Sequence, residues 1–254
     1  MAVANAQTVV VRNHGGGTTI ATNITTGGAN SLIIATVNLY EPGAGNPTCS
    51  GVAGTGAGSL TFQNDITRQN TSGDSRIYKW SVIAATAGTY TITATHTLNA
   101  LGVMYLEEVT GAATSSYTDG AGASATATGA NPASGNFTGS VTDGYWSAGF
   151  LNENGSSDTT VAAGSGWTMD STNGRTTDGT QDIVSGTEYR ANPGSAGAFN
   201  GNFTAAGATW AAVVFVYKAA SGASPVTIAP GLGSELHTGR TPLLAFGIVL
   251  PDVP

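Results

Sequence analysis

Charge is what this sequence has least of. Asp, Glu, Lys and Arg make up 9% of its 254 residues, against roughly 25% in an average soluble domain. Only eight residues are Lys or Arg, and the formal net charge is −7. A nucleic-acid partner needs a basic face to meet its phosphates, and these cations are too few to build one, so no nucleic-acid partner is expected. Low charge here does not mean disorder, which goes with high net charge and few apolar residues, because 40% of the chain is hydrophobic. The single cysteine, Cys49, excludes an internal disulfide and leaves the redox compartment open. Long hydrophobic runs are missing as well. The longest, "WAAVVFVY" at 210–217, is far short of the roughly 20 residues a helix needs to span a bilayer. The beginning, "MAVANAQTVVVRN", has neither a basic n-region nor an apolar h-region. The expectation is synthesis in a cytoplasm, with no signal peptide and no membrane partner.

Helical periodicity is nearly absent, and alternation takes its place. Runs rich in Val, Ile, Thr and Tyr are separated by Gly, Asn, Asp and Pro clusters, the pattern of an all-β chain. "GTYTITATH" (88–96) is the clearest case: Tyr90, Ile92 and Ala94 face one way and four threonines the other, as in a strand with one buried and one wet face. Gly88 stands where a tight turn before that strand needs an unusual backbone. "TWAAVVFVYK" (209–218) is apolar on both faces and so predicts a covered, central strand.

The strand series repeats once. "SLIIATVNLY", "GSLTFQN", the pair "RIYKWSVIAATAGTYTITATH" and "VMYLEEV" have the same order and rough spacing as "YWSAGFLN", "SGWTMDS", "DIVSGTEYRANPGSAGAFNGNFT" and "TWAAVVFVYK". Two Greek-key halves, about 18–110 and 124–218, joined by the linker 111–123, predict a jelly-roll-like antiparallel β-sandwich over residues 1–218. Residues 219–254 then form a Gly/Pro-rich tether and an apolar arm or added strand. In that arm Leu243, Leu244, Phe246, Ile248, Val249 and Leu250 lie between Pro242 and Pro251. An unpaired apolar strand is an aggregation hazard, so this one is expected to pair, either with its own sandwich or with a neighbouring subunit.

The series "GTTIATNITTGGANSLIIATV", "YKWSVIAATAGTYTITATHT", "YLEEVTGA" and "TWAAVVFVYK" resembles β-sandwich domains of bacteriophage virion proteins and modular bacterial surface proteins over roughly residues 8–218. The capsid decoration or head-associated type is the nearer of the two. That resemblance implies a non-enzymatic structural protein on the virion surface. Its expected partners are the major capsid protein or other virion subunits, and it would itself be a dimer or trimer. A surface of Ser, Thr, Ala and Gly suits a protein packed against neighbours. The alternative is a carbohydrate- or receptor-binding module of adhesin or tail-fibre type.

No catalytic signature emerges. His14, His96 and His237 are far apart and at no zinc-ligand spacing, and surface or loop positions are expected for them. "HGGG" (14–17) matches the oxyanion-hole string of some lipases, but no G-x-S-x-G accompanies it. Glu107 and Glu108 are adjacent and so point to opposite faces, which defeats an acid–nucleophile pair on one strand. One is expected to be solvated and the other to sit at a strand end or interface. "DSTNGRTTDGTQD" (170–182) lacks calcium-loop spacing and reads as turn chemistry. No metal, cofactor or catalytic residue is expected. Trp80 and Trp210 lie in apolar strands and are expected in the core. Tyr145, Trp146 and Trp167 follow "DG" and "GSG" turns, where they are either core or a stacking platform for a glycan.

Overall fold

The computed structural model describes residues 2–221 apart from 14–16, 42–44, 97–99, 121, 154–160, 171–173, 178–181, 194–197 and 206–207. The terminal arm, Leu243 to Leu250 included, lies outside the described residues. So do His14 and His237, and most of the 170–182 loop.

The described chain is all-β, with every strand pairing antiparallel and four sheets in total. The first half contributes β1 (Ala4–Asn13), β2 (Thr19–Thr26), β3 (Ser31–Tyr40), β4 (Cys49–Gly56), β5 (Leu60–Thr61), β6 (Gln63–Gln69), β7 (Ser75–Ala84), β8 (Gly88–His96) and β9 (Leu101–Thr110). The second contributes β10 (Ala123–Gly129), β11 (Ala133–Thr138), β12 (Gly144–Glu153), β13 (Ala162–Ala163), β14 (Thr168–Met169), β15 (Gly174–Thr177), β16 (Asp182–Ala191), β17 (Ala198–Thr204) and β18 (Ala208–Lys218).

The sequence repeat becomes a repeat of winding. In the first half one sheet runs β1-β9-β3-β7-β6 and the other β2-β8-β4-β5; in the second, β10-β18-β12-β16-β14 and β11-β17-β13. Each half is a long hairpin folded over on itself. Its outermost strands pair (β1 with β9, β10 with β18), then the next (β2 with β8, β11 with β17), then the next (β3 with β7, β12 with β16). Local chemistry sets the corners. Asn30, just before β3, has φ 62°, and Gly88, opening β8, has φ 142°. A Cβ on Gly88 would stand 2.7 Å from the Ala57 Cβ, so both the backbone and the space favour glycine there.

Alternation decides which face each residue covers. Ile33, Ala35, Val37 and Leu39 of β3 join Ile20, Ile24, Tyr90 and Ile92 in a core belonging wholly to the first half. Trp146, Ala148 and Phe150 of β12 join Phe203, Trp210 and Val214 in a core belonging to the second. The opposite face of β3 is equally buried. Leu32 and Ile34 pack with Tyr145, Phe215 and Tyr217, while Ile77, Val103 and Tyr105 pack with Leu151, Ile183 and Val213. The two large sheets therefore face each other across a seam, and the two smaller sheets lie on their outer sides.

This differs from the single sandwich built of two Greek keys that the repeat predicted. Each half closes its own pair of sheets, and all the strand pairings stay within one half. The physical reason is that β3, β9, β12 and β18 are buried on both faces. Each large sheet thus has a second face to cover, and the other half's large sheet covers it. The linker is ordered along β18: Lys218 N donates to Tyr117 O at 2.7 Å and Asp119 N to Val216 O at 3.0 Å.

Candidate functional site

The residues put forward for glycan stacking are in the interior. Tyr145 and Trp146 are 0% exposed and Trp167 is 9% exposed. They begin or precede strands, as the turns before them indicate, but β12 is covered on both sides, so neither of its aromatics presents a ring to solvent. Trp210 is in the second core as expected, and Trp80 is half-buried against the first. His96 is buried at the end of β8 and is not a surface residue. Both Glu107 and Glu108 are buried, which corrects the expectation that one is solvated. They do point to opposite faces. Glu108 accepts from Gln7 Nε2 at 2.6 Å, Gly27 N at 2.9 Å and Ser31 Oγ at 2.8 Å. Glu107 points into the seam.

The seam holds the densest chemistry in the described chain. Lys79 Nζ lies 3.6 Å from Glu107 Oε1, and both side chains are 0% exposed. Lys79 also donates to Thr36 Oγ1 at 2.8 Å and to Ser147 Oγ at 2.6 Å. Tyr145 Oη donates to Glu107 Oε2 at 2.8 Å, and Ser147 Oγ lies 2.8 Å from Oε1. The lysine and glutamate come from the first half, and the serine and tyrosine from the second. Strand register brings them together: β7 places Lys79 opposite Thr36 on β3, and β9 places Glu107 opposite Ile34.

Further polar ties extend this cluster. Asp170 accepts from Asn5 Nδ2 at 3.0 Å and Thr187 Oγ1 at 3.2 Å, and is hydrogen-bonded to Thr8. Asn5 also donates to Tyr145 Oη at 2.9 Å. Tyr217 Oη donates to Asp65 at 2.7 Å, and Tyr105 Oη donates to Ser185 O at 2.8 Å. At one end Glu153 of β12 collects Asn70, Ser72 and Ser75 of the first half.

Enclosure governs the electrostatics. Burial pushes the Lys79 ammonium below its ordinary range, with the Glu107 charge opposing. Burial, reinforced by Glu107, lifts the Tyr145 phenol well above its own. Asp170 is raised to about 8, first by burial and then by the Glu107 charge, against hydrogen bonds from Thr8 and Thr187. Asp65 is also raised by burial. In the second core Glu188 is raised to about 8 by burial, although Gly164 N donates to it at 2.8 Å.

Such a site can hold charge and fix register, and Lys79, Glu107, Tyr145 and Ser147 are each 0% exposed. A cavity of about 630 Å3 lies elsewhere, lined by Ala2, 140–143, Asn192 and 219–221, with Asp143 the one ionisable side chain among these residues. Among the described residues no group of His, Cys, Asp and Glu converges as a metal site.

Sequence reasoning passed over Lys79 and took Asp170 only as part of a turn at 170–182. The signal for the first was available: a lysine in mid-strand in "RIYKWSVIA", on the face with Ile77 and Ser81, matched by carboxylates inside the apolar "VMYLEEV". Asp170 carried no such signal, because its neighbours come from β1 and β16. No family model, no curated protein and no solved structure matches the chain.

Proposed function

We propose that each half is a jelly roll and that the protein is a non-enzymatic structural component of a virion, a capsid decoration, cement or head-associated protein. The observation that carries this reading is the doubled winding, in which nested hairpin pairs form two facing sheets twice over, with the two units joined by a sealed seam. Jelly rolls are building units of viral capsids and also of lectins. The resemblance of the strand series to phage virion domains favours the first. The lectin alternative loses its named platform, since Tyr145, Trp146 and Trp167 are interior.

The work of such a protein is mechanical. Its sparse charge suits a surface that packs against capsid subunits and against further copies in a dimer or trimer. The apolar arm, Leu243 to Leu250, is the contact assigned to assembly. At about 25 cal/mol per Å2, a few hundred Å2 of buried arm adds several kcal/mol per copy before ordering costs.

Electron microscopy of purified particles, with the protein labelled, tests the reading: density on the capsid surface is expected, and particles lacking the protein overturn it. Deleting residues 224–254 is expected to abolish particle binding while the far-ultraviolet β signal and melting transition persist. Normal decoration by the truncated chain would end the assignment of the arm.

A further inference from the structure

Lys79 is placed as a nucleophile as well as a cation. Its Nζ donates to Thr36 Oγ1 at 2.8 Å and to Ser147 Oγ at 2.6 Å. The remaining position on that nitrogen faces Glu107 Oε1 at 3.6 Å, longer than a hydrogen bond. Once the ammonium loses a proton, the two hydroxyls hold the amine with its lone pair toward the carboxyl group. Strand order explains the meeting. β7 and β9 flank β3, and Lys79 pairs with Thr36, two positions along β3 from Ile34, the partner of Glu107. The two backbones lie roughly 10 Å apart across β3, and two long side chains close that gap.

Glu107 is held for the same step. Ser147 Oγ accepts from Lys79 and lies 2.8 Å from Oε1 and 3.0 Å from Oε2, so it joins the amine to the carboxyl as a proton relay. Tyr145 Oη donates to Oε2 at 2.8 Å. Asn5 Nδ2 donates to that phenol oxygen at 2.9 Å, which keeps the phenol proton turned to the glutamate. Burial pushes the Lys79 ammonium below its ordinary range, toward the neutral amine that attacks. With all four side chains 0% exposed, burial also keeps bulk water from the bond once it has formed.

We propose that Lys79 and Glu107 condense spontaneously into an amide, a covalent cross-link between β7 and β9 inside the seam. A proton passes from the ammonium through Ser147 to Oε1, leaving a neutral amine and a carboxylic acid. Nζ attacks the carboxyl carbon, and Tyr145 supports the negative charge gathered on Oε2. A second proton follows the same relay to Oε1. The bond from carbon to Oε1 then breaks, Oε2 becomes the amide oxygen, and one water leaves. Nothing is oxidised or reduced, and no co-reactant is consumed. The Lys79–Glu107 ion pair is the reactant of this step. The product closes residues 79–107 into a ring and so restricts the unfolded chain as a disulfide does. It forms whether or not the protein sits on a capsid.

Mass spectrometry of the full chain, denatured, tests the cross-link. After allowance for Met1, the parent is expected to be lighter than its sequence by one water. Fragmentation of a digest is expected to give a branched peptide joining Lys79 to Glu107. Lys79→Arg keeps the charge, but its guanidinium stays protonated and does not attack, so K79R is expected at its full sequence mass. A parent at full sequence mass overturns the proposal, as does a loss of water that maps elsewhere or persists in K79R. Should K79R not fold, the parent digest decides by itself: the branched peptide supports the cross-link, and its absence overturns it.

Discussion

The two halves share a winding and almost nothing else. The first fills its core with Ile20, Ile24, Ile33, Val37, Leu39, Ile92 and Leu106, with Tyr90 among them. The second fills an equivalent space with Trp146, Phe150, Trp167, Phe203 and Trp210. It also buries Glu188 there, one of whose oxygens has no hydrogen-bond partner. The smaller sheet has four strands in the first half and three in the second. Nested pairing of alternating strands thus tolerates an aliphatic or an aromatic interior. What the winding requires is the period of two, with glycine or asparagine at corners such as Gly88 and Asn30. The seam is unequal too: the first half brings the charges Lys79 and Glu107, and the second brings the hydroxyls of Tyr145 and Ser147 that complete them.

The largest expected effect breaks that division of labour. Lys79→Met leaves Glu107 buried without its cation and should cost about 3–5 kcal/mol in denaturant unfolding, while K79M combined with Glu107→Leu should recover most of the loss. A single-variant cost near zero would mean that the ion pair does not hold the seam. Next is pH, which separates the second core from the first. Glu188 is raised to about 8 when folded. An unfolded glutamate titrates near 4.3, so its contribution to stability is full below that value and is lost as pH rises to about 8. Glu188→Gln should remove that slope, amounting to a few kcal/mol by order of magnitude, in melts at pH 5 and pH 8. An equal slope in E188Q would place the titrating group elsewhere.

Packing gives a smaller contrast. A Cβ on Gly201 would meet the Ala148 Cβ at 2.4 Å, whereas one on Gly102 would meet the terminal Cδ1 of Ile20, which can rotate away, at 2.3 Å. Gly201→Ala should therefore cost more than Gly102→Ala, about 1–3 kcal/mol against a fraction of that. The reverse order in urea midpoints would show that the aromatic core is the more adaptable of the two. The smallest effect is a gain. Asn38 is 0% exposed, and neither polar atom of its amide has a partner. Its alternation with Val37 and Leu39 points it to the seam, so Asn38→Leu should stabilise by about 1 kcal/mol, read from the denaturation midpoint.

Much of this architecture was legible before any coordinates. The strands around Ile33, Ile92 and Val214 declare themselves by β-branched residues and alternation, because side-chain direction along a strand is a local property. The doubled series marked the two halves for the same reason. The burial of Tyr145 and Trp146 was not legible. A turn signal places a residue at a strand start but does not say which strands will cover it. Glu107 and Glu108 illustrate the boundary. Adjacency alone put them on opposite faces, but only the packing revealed that both faces are buried.

The sequence by itself determined that the described chain is all-β, where most of its strands lie, β4 (Cys49–Gly56) being one it did not mark, and that their order occurs twice, since strand character follows from neighbours a few residues apart. Tertiary structure alone decided that each half closes its own sheets. It also decided that the two large sheets meet face to face, and that Lys79, Glu107, Tyr145 and Asp170 converge between them. Those contacts join residues that are distant in the chain. They form because β3, β9, β12 and β18, largely apolar and buried on both faces, leave each large sheet with a second face that must be removed from water.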